Sequence, residues 1–222
     1  MARHAVQGSG PTLLVFDRAP KGYFEALALK YRVVVIDYPP EDRSQAFIES
    51  FTADRVCADI LAVADSVGAD RFGWYGFSWG AGVGLQLAAR TNRLIALVCG
   101  GWPPLGGQYR ETLAVTEAGA ARGGDRHYLT YYRSVQAWAK RERDSVSKIT
   151  CPRLVFAGAK DQFVAEGRSI RIGPLVSAHR EELERLGWRV RLVDGFGHEL
   201  GGRPDIVIPI LREFLDPVLL RS

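Results

Sequence analysis

Gly76-Phe77-Ser78-Trp79-Gly80 separates two stretches of different periodicity. Before it, Arg71-Phe72-Gly73-Trp74-Tyr75 is aromatic and apolar, the composition of a buried strand. After it, residues 79–90 place Val83, Leu87 and Ala88 on one helical face. A serine at so abrupt a change from strand to helix is expected in a strained backbone conformation. Its hydroxyl is then pushed outward at the carboxyl end of the strand, with a helix N-terminus beneath it. Gly76 and Gly80 fit as positions where the two arms of the turn come too close for a side chain. The pentapeptide alone also fits an ordinary strand-to-helix turn, so its meaning depends on whether an acid and a base arrive later in the chain.

Both arrive. Arg153-Leu154-Val155-Phe156-Ala157-Gly158 reads as a strand after Cys151-Pro152, and Asp161 follows in the loop past its carboxyl end. A helical stretch over 177–186 leads to Trp188-Arg189-Val190-Arg191-Leu192-Val193, which alternates like a half-exposed edge strand. That run ends in Asp194-Gly195-Phe196-Gly197-His198, placing His198 on a glycine-flanked loop. Asp161 is also placed to cap the following helix, and Asp194 is a second carboxylate near His198. Only Gly-Phe-Gly separates Asp194 from the histidine, a poor span for reaching the far ring nitrogen.

The order serine, aspartate, histidine, each just past a strand, resembles the alpha/beta-hydrolase fold superfamily. Three further segments carry the resemblance. Asp37-Tyr38-Pro39-Pro40-Glu41-Asp42-Arg43-Ser44 follows the strand at 32–36 as the family's D-x-P-G-x-G-x-S stretch does. Ala157-Gly158-Ala159-Lys160-Asp161 is similar to its acid loop, and Gly195-Phe196-Gly197-His198 to its histidine loop. The likeness runs from about residue 12 to the C-terminus. It implies an α/β architecture: a doubly wound, mainly parallel sheet of about six strands in one domain over 1–222. It also implies a small helical lid inserted at about 103–149.

One departure stands out. Where the family has His-Gly-x-Pro after the first core strand, this chain has Asp17-Arg18-Ala19-Pro20. The resemblance puts the oxyanion donors at the backbone N–H groups of Trp79 and Ala19. Backbone donors survive a change of side chain, but an acidic side chain beside an oxyanion is unfavourable unless it turns away. With Ser78 as nucleophile, His198 as base and Asp161 orienting it, the resemblance implies a hydrolase of a carboxylic ester or related acyl bond. Only the nucleophile is specified, so C–C bond hydrolysis, thioester hydrolysis and lyase chemistry stand beside ester hydrolysis. A non-catalytic ligand-binding protein on the same fold is the reading from a different class.

Composition narrows the field. A chain of 222 residues with 47% apolar content can bury one core of ordinary size. Helix over 52–67, with Thr52 as N-cap, and a buried strand over 94–99 continue the strand-helix rhythm. The stretch 204–219 reads as a closing helix that Pro209 kinks or begins. No apolar run reaches membrane-spanning or signal-peptide length, and Cys57, Cys99 and Cys151 sit in apolar surroundings. A cytoplasmic protein with no membrane partner is the expectation. The net charge of +4 is spread thinly and no nucleic-acid recognition motif occurs; an anionic substrate is the remaining use for the arginines. No metal-ligand cluster or phosphate-cradling loop is present, so neither metal nor organic cofactor is expected. The partner is then a small acyl substrate. The insertion contributes Trp102, Tyr128, Tyr131, Tyr132 and Trp138, which suit either an apolar substrate wall or the glue between insertion and core.

Overall fold

The computed structural model describes residues 2–17, 22–38, 44–124 and 126–220. Among them the strands are β1 (His4–Gln7), β2 (Thr12–Phe16), β3 (Arg32–Ile36), β4 (Phe72–Phe77), β5 (Leu94–Gly100), β6 (Arg153–Gly158), β7 (Gln162–Ala165), β8 (Arg168–Arg171) and β9 (Trp188–Val193). The helices begin with α1 (Tyr23–Ala28), α2 (Gln45–Ser50), α3 (Ala53–Ser66) and α4 (Trp79–Ala88). The insertion after β5 holds α5 (Tyr109–Ala121), α6 (Arg126–Ser134), α7 (Gln136–Ala139) and α8 (Glu142–Ser147). The chain finishes with α9 (Ile172–Ala178), α10 (Arg180–Arg185) and α11 (Pro204–Leu219), after a 3-10 turn at His198–Gly202.

The main sheet has the order β1-β3-β2-β4-β5-β6-β9. All pairings are parallel except β1 with β3. The expected sheet of about six strands therefore becomes seven. The extra strand is His4–Gln7, which adds to the outer edge of β3 with His4 opposite Ile36 and Gln7 opposite Val33. Strand order reverses direction between β2 and β4, and a crevice at the carboxyl ends of an open α/β sheet forms at such a switch.

Period-two alternation divides the core. On β2, Leu14 and Phe16 face one side with Val34 and Ile36 of β3, against α3, α4 and the insertion. Leu13 and Val15 face the other side with Val33 and Val35, against α1 and α11. Helix α3 begins where its cap predicts: Thr52 Oγ1 accepts the N–H of Arg55 at 3.3 Å. Helix α11 has Pro204 in its first turn and runs on through Pro209 without ending there. Helix between β8 and β9 begins earlier than expected, at Ile172, and breaks between α9 and α10. No helix among the described residues is long and apolar enough to cross a membrane.

Candidate active site

Ser78 lies between β4 and α4 with φ 54° and ψ −120°. This is the mirror image of the first central residue of a type II turn, a conformation that glycine fills without strain and serine does not. Two features hold it there. The Ser78 N–H donates to Gly100 O at 2.7 Å, and Ser78 O accepts from Ala81 N at 3.0 Å and Gly82 N at 3.2 Å. A Cβ on Gly76 would lie 2.1 Å from Gly80 O, so the turn closes only with hydrogen at that position.

The acid and the base come from neighbouring strands. β6 and β9 pair from Arg153 with Trp188 to Gly158 with Val193, which brings the loops beyond them side by side. Those loops are joined: Lys160 N donates to Phe196 O at 2.9 Å, and Ala159 N to Val193 O at 2.9 Å. A Cβ on Gly158 would meet Phe196 O at 2.3 Å. Asp161 is then fixed from behind, its carbonyl accepting the N–H groups of Ile172 and Gly173, each at 2.8 Å. Its carboxylate is free of helix capping and points to the histidine.

The three side chains form one hydrogen-bonded line. His198 Nε2 is 3.0 Å from Ser78 Oγ. His198 Nδ1 lies 3.1 and 3.0 Å from Asp161 Oδ1 and Oδ2. Asp161 is 0% exposed, while the histidine side chain keeps 32% exposure at the crevice. Asp194, the rival carboxylate, is exposed on the surface. A carboxylate on Nδ1 fixes the tautomer that leaves Nε2 as acceptor for the serine proton. Phe77 and Phe163 flank the imidazole, with ring centroids 5.2 and 5.6 Å away.

Beside Ser78 a cavity of about 390 Å³ opens between the ends of β2 and β4. None of the described residues lining it is Asp, Glu, Lys or Arg, so no described arginine reaches it. Trp79 lines the cavity and supplies the first N–H of α4, one of the donors with no intrahelical acceptor. Ala19, the other expected donor, lies outside the described residues, as do Arg18 and Pro20. Asp17 is exposed and does not line the cavity.

Of the insertion aromatics, Tyr128 alone among the described residues lines the cavity. The expectation that Trp102, Tyr131, Tyr132 and Trp138 do so is corrected by their packing. Trp102 is buried over Gly82 and edge-on to Tyr109, which also meets Trp138 edge-on. Tyr131 stands edge-on to Trp79, and Tyr132 to Tyr131. Trp102 and Tyr131 fasten the insertion to α4, Trp138 and Tyr132 pack behind them, and Tyr132 also borders a separate, shallower hollow with Trp79 and Tyr128. Residues that sequence reasoning missed are on α1: Tyr23, Phe24 and Leu27 all line the cavity. Their signal is two aromatics and a leucine one helical turn apart.

Comparison with known proteins agrees with this architecture. The family model described as alpha/beta hydrolase fold matches residues 16–104. No curated protein matches in sequence. Among solved structures, a thermophilic esterase from Thermogutta terrifontis is 18% identical with a TM-score of 0.72, covering 98% of this chain and 93% of that one. Epoxide hydrolase A from Mycobacterium thermoresistibile is 19% identical, with a TM-score of 0.67 and coverage of 96% and 94%. E-2-(acetamidomethylene)succinate hydrolase is 17% identical, also with a TM-score of 0.67 and coverage of 96% and 94%. Sheet order, serine turn and structural likeness together make this chain an alpha/beta-hydrolase-fold protein.

Proposed function

We propose that the protein is a serine hydrolase that cleaves a carboxylic ester, or a related acyl bond, of a small molecule. The observation that carries this reading is the unbroken line from Ser78 Oγ through His198 to the buried Asp161. A serine hydroxyl is a weak nucleophile at neutral pH; in this reading the His198 imidazole, 3.0 Å away, takes its proton as Oγ attacks the carbonyl carbon. Asp161 stabilises the resulting imidazolium and keeps its orientation. In this reading the N–H of Trp79 donates to the tetrahedral oxyanion, a contribution of about 3–4 kcal/mol for one such donor. His198 then gives its proton to the leaving oxygen as the C–O bond breaks. A water activated by the same imidazole attacks the acyl-serine, the Oγ–carbonyl bond breaks and the acid departs.

The test is a fluorophosphonate adduct measured by intact mass, alongside turnover of chromogenic esters and thioesters. Wild type should gain one adduct and turn over at least one substrate class; Ser78→Ala should do neither. Ester turnover that survives in Ser78→Ala removes the proposed nucleophile. A wild-type chain that takes no adduct and hydrolyses nothing supports the ligand-binding reading instead.

A further inference from the structure

We propose that Tyr128 limits the size of substrate accepted at Ser78: with Trp79 it forms a partition between the cavity there and a second hollow against the insertion. This rests on Ser78 being the nucleophile. The second hollow, of about 350 Å³, lies along one face of α5, where Thr112, Thr116 and Gly119 border it. Among the described residues only Trp79 and Tyr128 line both spaces. Their rings meet edge-on with centroids 5.3 Å apart, a contact distance that leaves no passage between them.

The two halves of the partition are held unequally. Trp79 is stacked on Phe16 and Phe51, with centroids at 5.2 and 5.9 Å, and meets Tyr131 edge-on at 5.3 Å. It opens α4 next to Ser78, so its position is tied to the nucleophile turn. Tyr128 is half-buried and comes from the first turn of α6, an element that carries none of Ser78, Asp161 and His198. Its phenol is therefore the part of the partition that can be cut back with the nucleophile turn left in place.

The hollow behind Tyr128 suits an uncharged, apolar group. No described residue lining it is Asp, Glu, Lys or Arg. The Thr112 and Thr116 hydroxyls are turned onto their own helix, donating to Gln108 O at 2.8 Å and to Thr112 O at 2.7 Å. An aryl group entering this space gains by leaving water. Removing the Tyr128 ring joins it to the cavity of about 390 Å³ beside Ser78, and a bulky group that the partition excludes then has room at the nucleophile. The hollow can also be filled from the α5 side. At Gly119 a Cβ would meet nothing within 4 Å, and a helix interior favours any such side chain over glycine.

The test compares kcat/KM for a bulky and a small ester, a ratio that cancels any general effect on His198. Tyr128 borders the cavity and not one side of the scissile bond, so both sides are varied: p-nitrophenyl 2-naphthoate against p-nitrophenyl acetate, and biphenyl-4-yl acetate against phenyl acetate. In Tyr128→Ala the bulky-to-small ratio should rise about tenfold or more in at least one series, the scale of one to two methylenes of pocket space. Adding Gly119→Phe should return that ratio to within about threefold of wild type, because the joined space is filled again. If Tyr128→Ala does not fold, Tyr128→Val should show the same change, and Thr116→Phe serves in place of a Gly119→Phe that does not fold. Ratios unmoved in both series overturn the proposal. So does a raised ratio that the filling substitution leaves raised, since the ring then bounds only the cavity beside Ser78. A wild type that gives neither turnover nor fluorophosphonate adduct removes the Ser78 reading and this proposal together. An active, labelled protein that fails either comparison removes this proposal alone.

Discussion

Replacing Ser78 by glycine or by alanine removes the same hydroxyl and the same contact with His198, yet the two variants should differ in stability. The backbone at φ 54° and ψ −120° is the reason. A non-glycine residue held there costs about 1–3 kcal/mol, and alanine keeps that cost because it keeps the Cβ. Glycine sheds it but brings a more flexible unfolded chain, worth about 0.4–1 kcal/mol against it. The balance favours Ser78→Gly over Ser78→Ala by about 1 kcal/mol. For a chain of this length that is about 2–4 °C in Tm. At an unstrained strand or helix position the order is reversed, glycine being less stable by about 0.5–1 kcal/mol. Differential scanning calorimetry of both variants, each catalytically dead, measures the difference with activity removed from the question. A glycine variant that melts at or below the alanine variant would refute the claim that folding free energy is held in the nucleophile turn.

Three other outcomes are expected. Asp161→Asn keeps the volume of a fully buried side chain but favours the wrong imidazole tautomer, so kcat should fall by about 10⁴ while KM changes little; a loss under tenfold contradicts its role. Gly158→Ala puts a methyl group 2.3 Å from Phe196 O, displacing the loop that carries His198, and kcat in steady-state assays should drop about 10²-fold. Glu142 is 9% exposed, accepts the Gly106 and Gly107 N–H groups at 2.7 and 3.1 Å, and is raised by burial from 4.5 to about 7. Between those values the folded state binds the extra proton, so stability falls as pH rises; the cost is absent below about 4.5 and complete above about 7. Urea unfolding should show Glu142→Gln gaining on wild type across that window by up to about 3 kcal/mol, and parallel pH profiles would contradict it.

The parallel core was legible because its strands are buried on both faces and read as continuous apolar runs, with turn residues at their ends. The positions of Ser78, Asp161 and His198 past those ends followed from the same punctuation. What escaped has a physical cause in each case. β1 is four residues long, and its place beside β3 is decided by pairing across the sheet rather than by its own pattern. The β7–β8 hairpin turns at Glu166 and Gly167, both with positive φ (50° and 69°), but Glu-Gly lacks the asparagine or aspartate that marks such a turn. The insertion aromatics announced burial without direction: ring content cannot say whether Tyr131 faces a cavity or the edge of Trp79. The wall beneath α1 was missed because its residues belong to two elements that meet only in three dimensions.

Trp79 follows the nucleophile directly and lies nearly parallel to Phe16, with centroids 5.2 Å apart, while Tyr128 meets it edge-on. The chain has five tryptophans, and among the described residues it alone borders the cavity beside Ser78. Its indole is therefore a native optical probe: occupancy of the crevice changes its polarisability and quenching, while Trp74, Trp102, Trp138 and Trp188 stay in buried surroundings and supply a constant background. Ligand titrations can thus be followed by intrinsic emission without any introduced dye.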